Sequence, residues 1–318
     1  MLSHIYSLTT PLDDNSEFKI GLSMPNNNIP EEAFDWYDEY AHGGMDRRTF
    51  MKKLSGLVAL GYSMSVLTSA LLPNYALAEQ VSFNDSDIKA SYENFPSPQG
   101  HGEGRGYLVV PKENTQKMPV VLVIHENRGL NPYVKDVARR LAKAGFIAFA
   151  PDALFPLGGY PGNDDEGRAM QRTLEREKIQ HDFVAAGNFI KSHSLSNGKL
   201  GAIGFCFGGY IVNYLAAIDS DLIDAGVPFY GTPAKKSLRN NIKAPLMIQL
   251  GELDKRVNAS WPEYEADLTA NNVDFVMHMY ANAKHGFHND STGRYDEKNA
   301  ELAWSRSLAF FESKLRSS

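Results

Sequence analysis

Residues 199–209 read Lys-Leu-Gly-Ala-Ile-Gly-Phe-Cys-Phe-Gly-Gly and run straight into a second apolar stretch, Tyr210 to Ile218. The first run, Lys199 to Phe205, has the length and composition of a buried strand, and the second has those of a buried helix. Only four residues separate them, two of these are glycine, and Gly204 stands just before. A turn this tight brings backbone against backbone, where a Cβ would clash. A strand that passes directly into a helix belongs to a βα unit. It excludes all-helical folds and antiparallel sandwiches.

The rest of the chain repeats the unit. Val120 to His125 is a continuous apolar run, and Val134 to Ala144 has helical periodicity stopped by Gly145. Phe146 to Ala150 is the next strand, and Gly167 to His193 reads as one long helix. Gly226 to Tyr230, Pro245 to Gly251 and Phe275 to Tyr280 are further short strands, with helices at Ser260 to Asn271 and Glu297 to Leu315. Strands alternating with helices from about residue 104 predict an α/β fold with a mostly parallel, doubly wound sheet covered by helices on both faces. Its functional cleft is expected at the carboxyl ends of the strands. The 318 residues, 43% hydrophobic, suffice for one large domain with an N-terminal extension. A net charge of −6 leaves no basic footprint for nucleic acid.

Cys206 is the chain's one cysteine, so it has no intramolecular disulfide partner. It sits at the centre of G-x-C-x-G, the nucleophile-elbow pattern with cysteine in place of serine. The turn lifts the sulfur above the sheet and aims the N-terminus of the next helix at it, which favours a thiolate. The bland reading is a core cysteine in a glycine-rich turn. An acid and then a histidine are expected downstream. Asp254 closes the run Gly251-Glu252-Leu253-Asp254 after a strand, with Glu252 as the alternative acid. His285 lies in Ala283-Lys284-His285-Gly286-Phe287-His288, with His288 as the alternative base. In this arrangement the imidazole keeps the cysteine as a thiolate and the aspartate fixes the tautomer. His125-Glu126-Asn127-Arg128-Gly129 follows the strand at 120–125. Backbone N–H groups of Asn127 and Phe207 are the expected oxyanion donors. Glu126 is the candidate for a buried carboxylate that reaches the thiol. Gly129 stands where a zinc-binding H-E-x-x-H would need its second histidine, and no other motif asks for a metal or cofactor.

The N-terminal part reads differently. Residues 1–44 are polar, with one amphipathic helix expected at Glu31 to Tyr40. Arg47-Arg48, the moderately apolar stretch Leu54 to Leu72 and Ala76-Leu77-Ala78 have the composition of a twin-arginine export signal over residues 45–78. That reading implies the export machinery as a partner, cleavage near Ala78 and a periplasmic or envelope enzyme comprising residues 79–318. An amphipathic helix with a basic start, in a cytoplasmic protein, is the alternative.

The segments HENRGLNPYVKDVARRLAKAGFIAFAPD, GFCFGG, GELD and AKHGF together resemble the dienelactone hydrolase (carboxymethylenebutenolidase) family of α/β-hydrolases, over roughly residues 93–316. The resemblance implies hydrolysis of an ester or lactone by a Cys206–Asp254–His285 triad, without a cofactor. It also implies that Glu126 touches the resting thiol and moves when substrate binds. In substrate recognition this chain departs from the family. Its best-known members clamp a substrate carboxylate with two arginines, one of them four residues after the histidine, where this chain has Asn289. The other is expected shortly after Pro151-Asp152, where no arginine occurs before Arg168. A non-catalytic binding protein and a redox-sensing thiol are the competing functional classes.

Overall fold

A computed structural model describes residues 29–113 and 116–316. Four helices come first: α1 (Glu31–His42), α2 (Arg47–Ala59), α3 (Met64–Leu71) and the single turn α4 (Tyr75–Ala78). The sheet follows with β1 (Ile88–Ser97), β2 (Gly102–Pro111), β3 (Met118–Ile124), α5 (Pro132–Lys143) and β4 (Ile147–Pro151). Then come α6 (Asp164–Gln171), α7 (Arg176–Lys191), β5 (Ser196–Phe205), α8 (Phe207–Ile218), β6 (Ala225–Phe229) and β7 (Leu246–Gly251). The chain closes with α9 (Lys255–Asn258), α10 (Trp261–Ala270), β8 (Phe275–Tyr280) and α11 (Glu297–Leu315).

The strand order is β1-β2-β4-β3-β5-β6-β7-β8. All pairings from β4 to β8 are parallel, and β1–β2 and β2–β4 are antiparallel. In β3 the side chains alternate between two cores, as the period of two requires. Val120, Leu122 and Ile124 join α7 and α8 on one face, and Val121 and Val123 join α5 and α11 on the other. Both faces are therefore covered, which is why the strand is apolar throughout. The chain leaves β3 toward β4 and later returns to β5 on the other side of β3. This reversal opens a crevice at the carboxyl ends of β3 and β5, the ends that carry Glu126 and Cys206.

Two features differ from the sequence reading. The single helix expected over Gly167 to His193 is two helices, separated at residues 172–175. Asn163 caps the first by accepting from the N–H groups of Asp165 and Glu166, and the Thr173 hydroxyl bonds back to the Met170 carbonyl at its end. Such local side-chain bonds compete with continued helix. The break lets α6 pack on the Arg128 loop, where Gly167 lies directly on the Arg128 carbonyl, while α7 packs on the sheet. The hairpin β1–β2 supplies an antiparallel edge that the sequence reading lacked.

The stretch Leu54 to Leu72 is divided between α2 and α3. Among the described residues no helix is long and apolar enough to cross a membrane. Leu54, Leu57, Leu67, Ala70 and Leu71 turn inward onto Ala33, Tyr37 and Tyr40 of α1. The Tyr40 ring stacks on Phe50 at 4.8 Å. Arg47 and Arg48 are the exposed first residues of α2, which Asp46 caps by accepting from Thr49 N–H at 2.9 Å. Of the polar leader, residues 1–28 lie outside the described residues.

Candidate active site

Cys206 stands between β5 and α8 with φ 55° and ψ −110°. A non-glycine residue in this region is strained, and its neighbours must hold it there. They do so by contact. A Cβ on Gly204 would strike the Gly208 carbonyl, one on Gly208 the Ile124 carbonyl, and one on Gly209 the Phe229 carbonyl. The Cys206 N–H itself donates to Phe229 O at 3.1 Å. The three glycines thus allow the elbow to sit against β3 and β6. Phe207 is the first residue of α8, where N–H groups point out of the helix. Asn127 lies in the loop after β3, at the same end of the sheet.

Asp254 follows β7 and caps α9, its Oδ1 accepting from Val257 N–H at 3.1 Å. Its Oδ2 meets His285 Nδ1 at 2.5 Å, and both side chains are buried. Burial pushes the Asp254 carboxyl up, but the His285 ring, its hydrogen bond and the Val257 N–H together hold it below its ordinary value. The alternative acid, Glu252, is exposed and accepts from Asn282 N–H at 2.8 Å. The alternative base, His288, has Nδ1 on the Tyr133 hydroxyl at 2.7 Å and lies among Phe205, Phe229 and Trp304. Among the described residues it is paired with no carboxylate. The structure thus brings Asp254 to His285 and sends both alternatives elsewhere.

Burial pushes the His288 ring pKa down to about 3. The unfolded ring takes up a proton below its ordinary 6.5, and the folded ring only near 3. Its contribution to stability is complete above 6.5 and is lost as pH falls between the two values, at roughly 1.4 kcal/mol per pH unit. Urea unfolding at pH 7, 6 and 5 should show this slope, and His288→Phe should flatten it. An unchanged slope in that variant would assign the acid sensitivity to other groups.

Glu126 is buried, and its Oε2 accepts from Asn289 Nδ2 at 3.1 Å. Asn289 Oδ1 is itself held by the Ser291 N–H and hydroxyl. At the position where the family's arginine was looked for, this chain therefore carries an amide that anchors Glu126. Burial raises the Glu126 pKa, Arg128 pulls it back, and the charge of Cys206 raises it further, so carboxylate and thiol feel each other. Arg128 donates to Asp164 at 2.9 Å, and Arg168 pairs with Asp165 and lies 3.8 Å from the centre of the Tyr40 ring.

Two residues escaped the sequence reading. Tyr230, at the end of β6 with φ 37°, sets its ring 4.9 Å from that of His285 and interacts electrostatically with both Glu126 and Cys206. A bulky residue before Gly231 at a strand's carboxyl end was the available signal. Arg294 comes from a loop nine positions beyond His285. It is buried and lines a cleft of about 810 Å³ together with Asp254 and His285.

A strained elbow after β5, an acid after β7 and a histidine after β8, all at one end of a mostly parallel sheet, define an α/β-hydrolase. Residues 105–315 match the model of the dienelactone hydrolase family, and the chain belongs to that family. Residues 23–59 separately match a model described as YqhI-like. A 109-residue stretch is 62% identical to the "Putative hydrolase fragment YghX" of Escherichia coli K12, covering 34% of this chain and 93% of that protein. A "Putative carboxymethylenebutenolidase" of Aquifex aeolicus is 35% identical over 67% of this chain and 94% of its own length. Among solved structures, the dienelactone hydrolase-like promiscuous phosphotriesterase P91 from metagenomic libraries superposes with a TM-score of 0.63 at 22% identity, over 72% of this chain and all of that one. At that identity the likeness concerns the fold. The chain is an enzyme of the hydrolase class, which removes the binding-protein alternative.

Proposed function

We propose that the protein cleaves small carboxylic esters or lactones through an acyl-thioenzyme on Cys206. The observation that carries this reading is the 2.5 Å Asp254–His285 pair, with the Tyr230 ring set against His285 and electrostatically linked to the sulfur of the strained Cys206 elbow. With Nδ1 committed to Asp254, proton exchange falls to Nε2 of His285. The thiol proton passes to that nitrogen as the sulfur attacks the carbonyl carbon. A C–S bond forms, and the carbonyl oxygen becomes an oxyanion facing the N–H groups of Asn127 and Phe207. Collapse breaks the C–O bond, and the departing alkoxide takes the proton from the imidazolium. Water, deprotonated by His285, then opens the thioester and returns the enzyme to its starting state. Glu126, already coupled to the sulfur, disfavours the resting thiolate until substrate displaces it.

A panel of uncharged esters and lactones tests the reaction, with rapid quench and intact-mass measurement. Covalent adducts of acyl mass should map to Cys206 during turnover. Hydrolysis without any such adduct, even with a slowly deacylating substrate, would overturn the covalent mechanism.

A further inference from the structure

We infer that helix α1 is a charged wall of the active site, and that Glu32, Asp35 and Glu39 steer the enzyme toward uncharged substrates and away from anionic ones. The three acids are spaced i, i+3, i+7, so they share one face of the helix. That face lines the same cleft as the triad residues Asp254 and His285. Around the triad stand Lys255, Arg256, Lys284 and Arg294. Four cations in the cleft that holds the Asp254–His285 pair would by themselves draw anions into it. The acids of α1, in the same lining, oppose that field.

The wall is fastened at several points. Tyr37 and Tyr40, on the other side of α1, are buried. Arg128 and Arg294 lie over the Tyr37 ring at 5.5 and 5.3 Å, and Arg168 over Tyr40. Arg168 also donates to the Tyr40 carbonyl at 3.3 Å. Asn127, which belongs to the oxyanion loop, donates from its side chain to the Ala41 carbonyl at 2.9 Å. Lys284, next to His285, lies over the Phe34 ring at 4.5 Å. Cation–π contacts of this kind hold best where water is excluded. The helix is thus fixed to the loops that carry Asn127, Lys284 and Arg294, so its acidic face is held in the lining of the cleft.

The inference deepens the hydrolase reading for substrate choice, but its test needs only a reachable thiol. Iodoacetate and iodoacetamide are close in size and differ in charge, and Cys206 is the sole cysteine. In the full-length protein, Glu32→Gln/Asp35→Asn/Glu39→Gln should raise the iodoacetate-to-iodoacetamide rate ratio about ten-fold at low salt. The gain should shrink at 0.5 M salt. Asp35→Asn alone should move the ratio in the same direction, which covers the case of a triple variant that folds poorly. Glu177→Gln/Glu265→Gln/Glu301→Gln removes the same net charge from α7, α10 and α11 and should leave the ratio unchanged. The kcat/KM ratio of a dicarboxylic half-ester to its methyl diester should follow the alkylation ratio. Equal ratios in wild type and triple variant, an equal shift in the control, or a thiol that neither reagent reaches would overturn the inference. If alkylation shifts but no ester is cleaved, the wall stands and the hydrolysis reading falls. If wild type cleaves esters and both ratios stay fixed, the reverse holds.

Discussion

Cys206→Ala is expected to lower kcat/KM for the best ester or lactone by at least about ten-thousand-fold and to abolish alkylation by iodoacetamide entirely. The second effect follows from composition, since no other thiol exists in the chain. The first follows from the elbow. Cys206 occupies a backbone conformation that is costly for any residue with a Cβ, and the fold maintains it by pressing three glycines against the carbonyls of β3, α8 and β6. Alanine carries the same Cβ and meets the same strain, so the variant should keep its melting temperature within a few degrees. A large loss of stability would point to a packing role for Cys206, which is only slightly exposed and belongs to the core cluster that includes Ile203, Phe205 and Phe229. Retention of more than about one per cent of the activity would sink the covalent mechanism. What remains in a triad variant comes from oxyanion donors and substrate binding alone.

The parallel half of the sheet was readable because it is buried on both faces. Strands such as 120–124 and 146–150 are apolar at every position. The candidate triad could be proposed because this fold puts its chemistry at strand ends, so that chain order and strand position together pointed to Cys206, Asp254 and His285, of which the structure pairs Asp254 with His285. The hairpin β1–β2 was not, for a physical reason. β1 is an edge strand with few inward side chains, chiefly Ile88 and Phe95, and Pro96 sits near its end. Its pattern resembles a loop. Tyr230 and Arg294 reach the site through tertiary packing, which no local pattern records.

The N-terminal region shows the limit most clearly. Glu31 to Tyr40 was legible as an amphipathic helix, but not the place where it docks. The apolar positions of Leu54 to Leu72 serve equally well for a membrane-directed segment and for two short helices closing on Tyr37 and Tyr40. The two uses make opposite demands. Cleavage after Ala78 would strip α1, α2 and α3 from the enzyme and uncover Arg294 and the cleft, whereas the charged wall requires their retention. Sequencing the N-terminus of the protein isolated from its own cell therefore bears on substrate choice as well as on location. A mature chain that begins near Glu79 would leave the wall only in the precursor.

Asp254→Asn should cost about a thousand- to ten-thousand-fold in kcat with little change in KM, while Glu252→Gln should cost less than about three-fold. The two carboxylates are separated by one residue, and the sequence alone left both open. The structure gives them different surroundings. Glu252 faces solvent and braces the Asn282 turn, so its amide can still accept that bond. Asp254 is buried on His285 Nδ1 and Val257 N–H. The pull of His285 and these hydrogen bonds overcomes burial and keeps its pKa below the usual carboxylate range. The charge is therefore present throughout the neutral range and is lost only as pH falls through that depressed value. An acid limb of the pH–rate profile above pH 5 must accordingly come from another group. Asparagine keeps the shape but removes the charge that stabilises the imidazolium, and its amide can orient the ring in the wrong tautomer. The variant should fold, since the Oδ1 cap to Val257 survives, and binding of an uncharged substrate should persist because no substrate contact is altered. If Glu252→Gln proved the more damaging change, the acid of the triad would have been misassigned, and the 2.5 Å pair would have to be read as a fastening of α9 to the His285 loop.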